Sequence, residues 1–142
     1  MTNLFVDTSA FYAIADGGDR HHRGALIALQ ASLGTDQVST SDHVIVETWL
    51  LICSLLGHRA AMRFWDGLSI DLFTIVNVTN QDLRRGREIA QEWSDQAFSI
   101  VDCTSFALIE RLDIRHAFAF DKHFRIVRFG SRRQRALQIV PH

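Results

Sequence analysis

Apolar and polar positions alternate between two periods along this chain, and the alternation predicts a βα-type fold. Leu4, Phe5 and Val6 form a short apolar run of the kind that makes a buried strand. Asp7 ends the run, and Thr8 and Ser9 open a helix that continues to Ala15. A polar loop follows at residues 16–19. Residues 22–33 have helical spacing, with Leu26, Ile27, Leu29 and Leu33 as the expected apolar stripe and Gly34 as the stop. Residues 37–39 read as a short strand.

Thr40 or Ser41 then starts a third helix over residues 44–56, closed by Gly57. It is apolar nearly all round, which predicts burial. Residues 59–68 form a fourth helix with Met62 and Trp65 on its expected buried side, and residues 72–78 alternate as a strand. Thr79 or Asn80 caps a fifth helix, in which Leu83, Gly86, Ile89, Ala90 and Trp93 recur at helical spacing, with Arg84, Arg85 and Arg87 outside. Ser99-Ile-Val-Asp102 has the form of a capping box leading into a helix over residues 103–112. Residues 117–120 read as a strand followed at once by Asp121. Residues 124–129 fit a short helix or a strand, and residues 136–140 a last strand. Strands and helices in alternation predict an α/β fold with a parallel sheet and helices on both faces.

Glu47 breaks the apolar pattern of the third helix. A carboxylate among apolar neighbours is costly unless it is paired, hydrogen-bonded or metal-bound. Asp7 and Asp121 each follow a strand, and Asp102 lies in a first helical turn. Each has a structural explanation of its own, as a cap, a turn residue or a dipole partner. Together, all four have a route to the carboxyl edge of the sheet, where parallel α/β folds bind ligands. Four such carboxylates repel one another unless cations neutralise them. Magnesium and manganese take oxygen ligands, and such ions activate water for attack at phosphorus. Asp95, in the loop before Ser99, is a more remote candidate.

Composition narrows the class. The chain has 142 residues, 47% hydrophobic and 22% charged, which suits one globular domain over residues 1–142. No apolar run reaches membrane-spanning length and no signal-peptide pattern opens the chain, so a cytoplasmic protein without membrane partners is expected. Cys53 and Cys103 sit in apolar helical patterns, as small hydrophobes do. The His21-His22 doublet lacks the further ligands a zinc site needs. The net charge is −1; setting the four carboxylates aside as metal-neutralised leaves +3. Beyond Asp121 there is no acidic residue, but Lys122, Arg125, Arg128, Arg132, Arg133 and Arg135 follow. This segment is a candidate phosphate-contact surface, or else a solvated face or a partner patch.

Four segments carry a family resemblance: Val-Asp-Thr-Ser-Ala-Phe-Tyr-Ala, Val-Ile-Val-Glu-Thr, Phe-Ser-Ile-Val-Asp-Cys-Thr-Ser-Phe-Ala and Ala-Phe-Ala-Phe-Asp-Lys-His-Phe. In order and spacing they resemble the PIN domain, and with the chain length they resemble the toxins of VapBC toxin–antitoxin systems. The resemblance implies a three-layer α/β/α sandwich around a mainly parallel sheet of about five strands. It implies a magnesium- or manganese-dependent endoribonuclease, a homodimer, and a cognate antitoxin whose tail enters the active-site groove. The family's acidic quartet falls on Asp7, Glu47, Asp102 and Asp121. In that mechanism Asp7 and Asp102 hold the principal metal, Glu47 orients a metal-bound or nucleophilic water, and Asp121 completes the pocket. Ser9 matches the family's small hydroxyl residue, and Lys122 and Arg125 are rim cations for the RNA backbone. One departure is Ala119, where family members often carry Thr or Ser. A haloacid-dehalogenase phosphatase would need an acid at Ser9, and a receiver domain needs acids and a lysine placed differently. The non-enzyme alternative is a PIN-like module that binds RNA or protein without cutting.

Overall fold

The computed structural model describes residues 2–68 and 72–142. Five strands form one parallel sheet: β1 (Asn3–Val6), β2 (Gln37–Ser41), β3 (Thr74–Val76), β4 (His116–Phe118) and β5 (Gln138–Val140), in the order β3-β2-β1-β4-β5. The helices are α1 (Thr8–Ala15), α2 (His22–Ser32), α3 (Asp42–Leu56), α4 (His58–Leu68), α5 (Asn80–Glu92), α6 (Ile100–Arg111) and α7 (His123–Ile126). The chain steps outward from β1 to β3, then returns to the other side of β1 for β4 and β5. Right-handed crossovers in these two directions put helices on opposite faces of the sheet, which gives the α/β/α sandwich.

In the central strand Phe5 and Val6 are fully inaccessible, and Leu4 is paired to Val38 on one side and to His116 on the other. Phe5, Phe106 and Phe124 stack or meet edge-on beneath the sheet edge, and Phe98 extends that cluster to His123. A smaller cluster of Ile52, Ala60 and Ala61 joins α3 to α4.

Several helix faces differ from the sequence expectation. α3 buries only Val44, Thr48 and Ile52, while Val46 and Leu50 are 59% and 58% exposed. Its neighbours cover one stripe and leave an apolar face open. α2 packs through Ala25, Ala28 and Ser32, so Leu26 and Ile27 face outward; small residues allow the close approach, and the long ones are left on the surface. α4 buries Ala60, Ala61 and Leu68, leaving Met62 half-buried and Trp65 exposed.

Strand limits differ for an identifiable reason. β3 stops at Val76 because Val78 N–H donates to Asp42 Oδ1 at 2.9 Å instead of to a strand. β4 stops at Phe118 because the N–H groups of Phe120 and Asp121 both donate to Ser9 Oγ, at 2.9 and 3.2 Å. β2 runs two residues further than expected, to Ser41, with Thr40 Oγ1 donating to Val6 O. β5 begins at Gln138 rather than at residue 136, and residues 123–126 are helical.

Candidate active site

The topology creates a crevice where the chain changes direction, between the carboxyl ends of β1 and β4. Such a switch point is where open parallel sheets bind ligands. Asp7 follows β1 directly, its N–H bonded to Phe118 O of β4 at 3.1 Å. A groove of about 340 Å³ opens there, lined by Asp7, Thr8, Ser9, Glu47, Leu51, Ala97, Ser99, Asp102, Asp121 and His123. The four acidic residues singled out in the sequence thus share one groove.

Each carboxylate is placed by local structure. Asp7 is the N-cap of α1, accepting from Ser9 N–H at 3.1 Å and Ser9 O–H at 2.7 Å. Asp7 therefore caps α1 and lines the groove at once. The same Ser9 oxygen accepts the Phe120 and Asp121 N–H groups, so one hydroxyl fastens Asp7 to the loop that carries Asp121. Asp102 completes a reciprocal capping box with Ser99: Ser99 N–H donates to Asp102 Oδ2 at 3.2 Å, and Asp102 N–H to Ser99 Oγ at 3.0 Å. Asp121 accepts from His123 N–H at 2.9 Å, in the turn that opens α7. Glu47 reaches the groove from the second turn of α3, with Thr8 as its hydrogen-bond partner.

Burial dominates the electrostatics, opposed by hydrogen bonds and assisted by repulsion among the acids. Asp7, only 3% exposed, is pushed up to about 7 by burial, with a further push from Asp102, against the lowering effect of its bonds to Ser9 and Thr8. Glu47 is held above the usual carboxylate range by burial and by the nearby Asp102 and Asp121, with the Thr8 bond opposing. Both displacements run in the direction that burial and neighbouring negative charge impose on a carboxyl.

His123 carried no assignment in the sequence reading. Its Nδ1 lies 2.8 Å from Asp102 Oδ2 and 3.6 Å from Asp121 Oδ1. One donor atom from each of Asp102, Asp121 and His123 falls within 4.8 Å of the others. The sequence signal was an Asp-Lys-His tripeptide after a strand, which acquires meaning only once α6 brings Asp102 opposite. Thr8, Ser99 and Ala97 also line the groove; Ala97 does so with a φ of 52°.

Other candidates lie elsewhere. Asp95 is exposed, bonded to Gln96, and does not line the groove. Lys122, the N-cap of α7, and Arg125 within it are exposed and do not line the groove. Within the basic segment, Arg128 is tied to the carbonyls of Arg125, Ile126 and Val127, and Arg133 lies over Trp93. His22 donates Nδ1–H to Ala13 O and His21 stacks on Phe120, so the doublet is structural. Ser9 is fully engaged as a cross-link. Both cysteines are free.

A sequence model of the PIN domain matches residues 4–130. The chain belongs to the PIN-domain family, among the VapC toxins. It is 40% identical over 127 residues to the 23S rRNA-specific endonuclease VapC20 of Mycobacterium tuberculosis, covering 85% of this chain and 91% of that protein. The crystal structure of M. tuberculosis VapC20, described as a sarcin–ricin loop cleaving toxin, superposes with a TM-score of 0.77 at 34% identity, over 84% of this chain and 90% of that one. VapBC2 of Rickettsia felis, solved on a DNA fragment from its promoter, gives a TM-score of 0.68 at 10% identity, over 96% and 97% of the two chains. At that identity the likeness speaks for the fold alone. Among the described residues no helix is long and apolar enough to cross a membrane.

Proposed function

We propose that this chain is a VapC-type toxin, an endoribonuclease that hydrolyses RNA phosphodiester bonds in the acidic groove with a divalent cation. The observation that carries this reading is the convergence of Asp7, Glu47, Asp102 and Asp121, from four separate parts of the chain, on one groove at the switch point. A pure binding module has no use for repelling carboxylates in a crevice, two of which, Asp7 and Glu47, are displaced upward by burial and by the charge of neighbouring acids in the same groove.

The donor set fits magnesium or manganese: carboxylate oxygens predominate, with room for waters and a phosphate. Asp7, Glu47, Asp102 and Asp121 would hold the ion. When bound, it supplies water activation and neutralises charge at the phosphate. The chain's own residues prepare the groove for this. Ser9 sets Asp7 and the Asp121 loop relative to each other. Ser99 and His123 fix the Asp102 carboxylate. Glu47, half-buried and facing the same space, orients the attacking water by accepting its hydrogen bond. Lys122 and Arg125 attract the RNA backbone at the rim.

The exposed apolar surface of α3 is the face a second copy covers in a homodimer. The apolar groove lined by Phe11, Ile14, Leu29, Leu33, Phe64 and Phe73, about 390 Å³, suits an amphipathic segment of a cognate antitoxin.

The test is cleavage by the antitoxin-free chain of a sarcin–ricin loop oligonucleotide from 23S rRNA, beside unrelated RNAs and DNA. Magnesium, manganese and EDTA are compared, with the Asp7→Asn and Asp102→Asn variants. Metal-dependent cutting of RNA that both variants lose is the expected result. Binding without cutting would replace the enzyme reading with the non-catalytic module. Cutting that survives either substitution would move the site elsewhere.

A further inference from the structure

The acidic groove is not a purely oxygen site. His123 Nδ1 faces Asp102 Oδ2 at 2.8 Å and Asp121 Oδ1 at 3.6 Å, and one donor atom from each of these three residues lies within 4.8 Å of the others. Adjacent donors around a six-coordinate ion with bonds of about 2.1 Å stand about 3 Å apart, the scale of these separations. The imidazole is also held in place. Its own backbone N–H is bonded to Asp121 Oδ1 at 2.9 Å, and Phe98 packs against the ring with centroids 4.9 Å apart. The ring therefore presents Nδ1 to the carboxylates at no further cost in rotamer entropy.

We propose that His123 is a nitrogen donor to the divalent ion held by Asp102 and Asp121, which makes this centre selective for manganese-type transition ions over magnesium. The inference rests on the metal-dependent reading above. Nδ1 lies within hydrogen-bond distance of Asp102 Oδ2. Ligation would use the Nδ1 lone pair of the neutral tautomer that carries its proton on Nε2, with no net gain or loss of protons. Imidazole suits first-row transition ions, whereas magnesium prefers oxygen and dehydrates reluctantly. An all-carboxylate groove discriminates weakly between Mg2+ and Mn2+; a rigid imidazole in the donor set favours Mn2+.

The experiment is pulsed EPR of Mn2+ bound to the untagged full chain, with Mn2+ and Mg2+ affinities measured calorimetrically on wild type and His123→Gln. Glutamine can still donate a hydrogen bond to Asp102 but has no imidazole nitrogen. The wild type is expected to show 14N modulation from one coordinated histidine. In His123→Gln the modulation disappears and Mn2+ affinity falls about ten-fold or more, while Mg2+ affinity moves far less. Wild-type protein labelled with 15N-histidine must show the corresponding frequency change, which keeps the test independent of the variant's folding. Bound Mn2+ without nitrogen modulation, or an unchanged Mn2+/Mg2+ ratio in the variant, overturns the inference. If the wild type nevertheless cuts RNA, only the donor assignment fails. If it neither binds Mn2+ nor cuts RNA with any ion, the nuclease reading fails with it.

Discussion

Asp7 is the least solvated of the four carboxylates, and its ionisation should be visible in stability. An unfolded Asp titrates near 3.8, whereas burial holds the folded one at about 7. Between these values the unfolded chain has lost a proton that the native protein keeps. Without divalent ions, stability should therefore fall as pH rises from about 4 to about 7 and then level off. Asp7→Asn removes that dependence and keeps an oxygen for the Ser9 donors. In EDTA the variant should be more stable than wild type at pH 8, by at most about 4 kcal/mol, with the difference vanishing near pH 4. Urea denaturation across that range checks it. A divalent ion should stabilise wild type and not the variant. Ser9 gives a second prediction. Its Oγ binds Asp7 and two backbone N–H groups, so Ser9→Ala strands the Phe120 and Asp121 donors. The expected loss is about 1–3 kcal/mol in urea denaturation, with reduced RNA cleavage and recovery of both in Ser9→Thr.

Between elements, the position of Asp102 depends on the packing of α5 against α6. Asp82, almost fully buried, closes the capping box of α5 with Thr79 and takes a two-pronged contact from Arg111 at 2.9 Å on both arms. Burial alone would raise its pKa; Arg111 and Thr79 overcome this and hold it below the usual carboxylate range. Along the same contact Gly86 faces the Cys103 backbone so closely that a Cβ would stand 3.3 Å from its carbonyl carbon and oxygen. Gly86→Val should push α6 away and move Asp102 with it. We expect a loss of about 1–3 kcal/mol in thermal or urea unfolding and weaker metal binding by calorimetry, although no groove residue is altered. This scale also separates what could be read from the sequence. The Ser99–Asp102 box was legible because capping is local chemistry, and the strand-then-Asp pattern was legible because a residue directly after a parallel strand stands at the carboxyl edge of the sheet. The lengths of β3 and β4 were not, because Asp42 and Ser9 intercept their N–H groups from 36 and more than 100 residues away. His123 became a groove residue only through its contact with Asp102, 21 positions distant.

For the whole molecule, the misread face of α3 has consequences. An all-round apolar helix predicts burial, yet Val46, Leu50 and Leu55 are exposed, and Trp65 of α4 is 57% exposed beside them. Ile45, Val46, Trp49, Leu50 and Trp65 form an apolar depression of about 240 Å³. Hydrophobic periodicity reports which residues avoid water; it does not distinguish a core from a surface completed by another chain. A contiguous patch of this kind favours association, and a twofold arrangement buries the same patch on both copies. Sedimentation of the antitoxin-free chain at tens of micromolar should therefore give a dimer, with a melting temperature that rises with concentration. Leu50→Glu combined with Trp65→Glu should give a monomer that keeps its secondary structure, because neither side chain is in the core. Glu47 lies on the same helix, one turn before Leu50 and Leu51, and Leu51 itself lines the groove. Covering the outer face of α3 would hold the helix that carries Glu47. The monomeric variant should accordingly bind metal through Asp7, Asp102 and Asp121 but cut RNA more slowly, which a comparison of ion affinity with cleavage rate would separate. A wild-type chain that sediments as a monomer would instead assign the patch to a different partner.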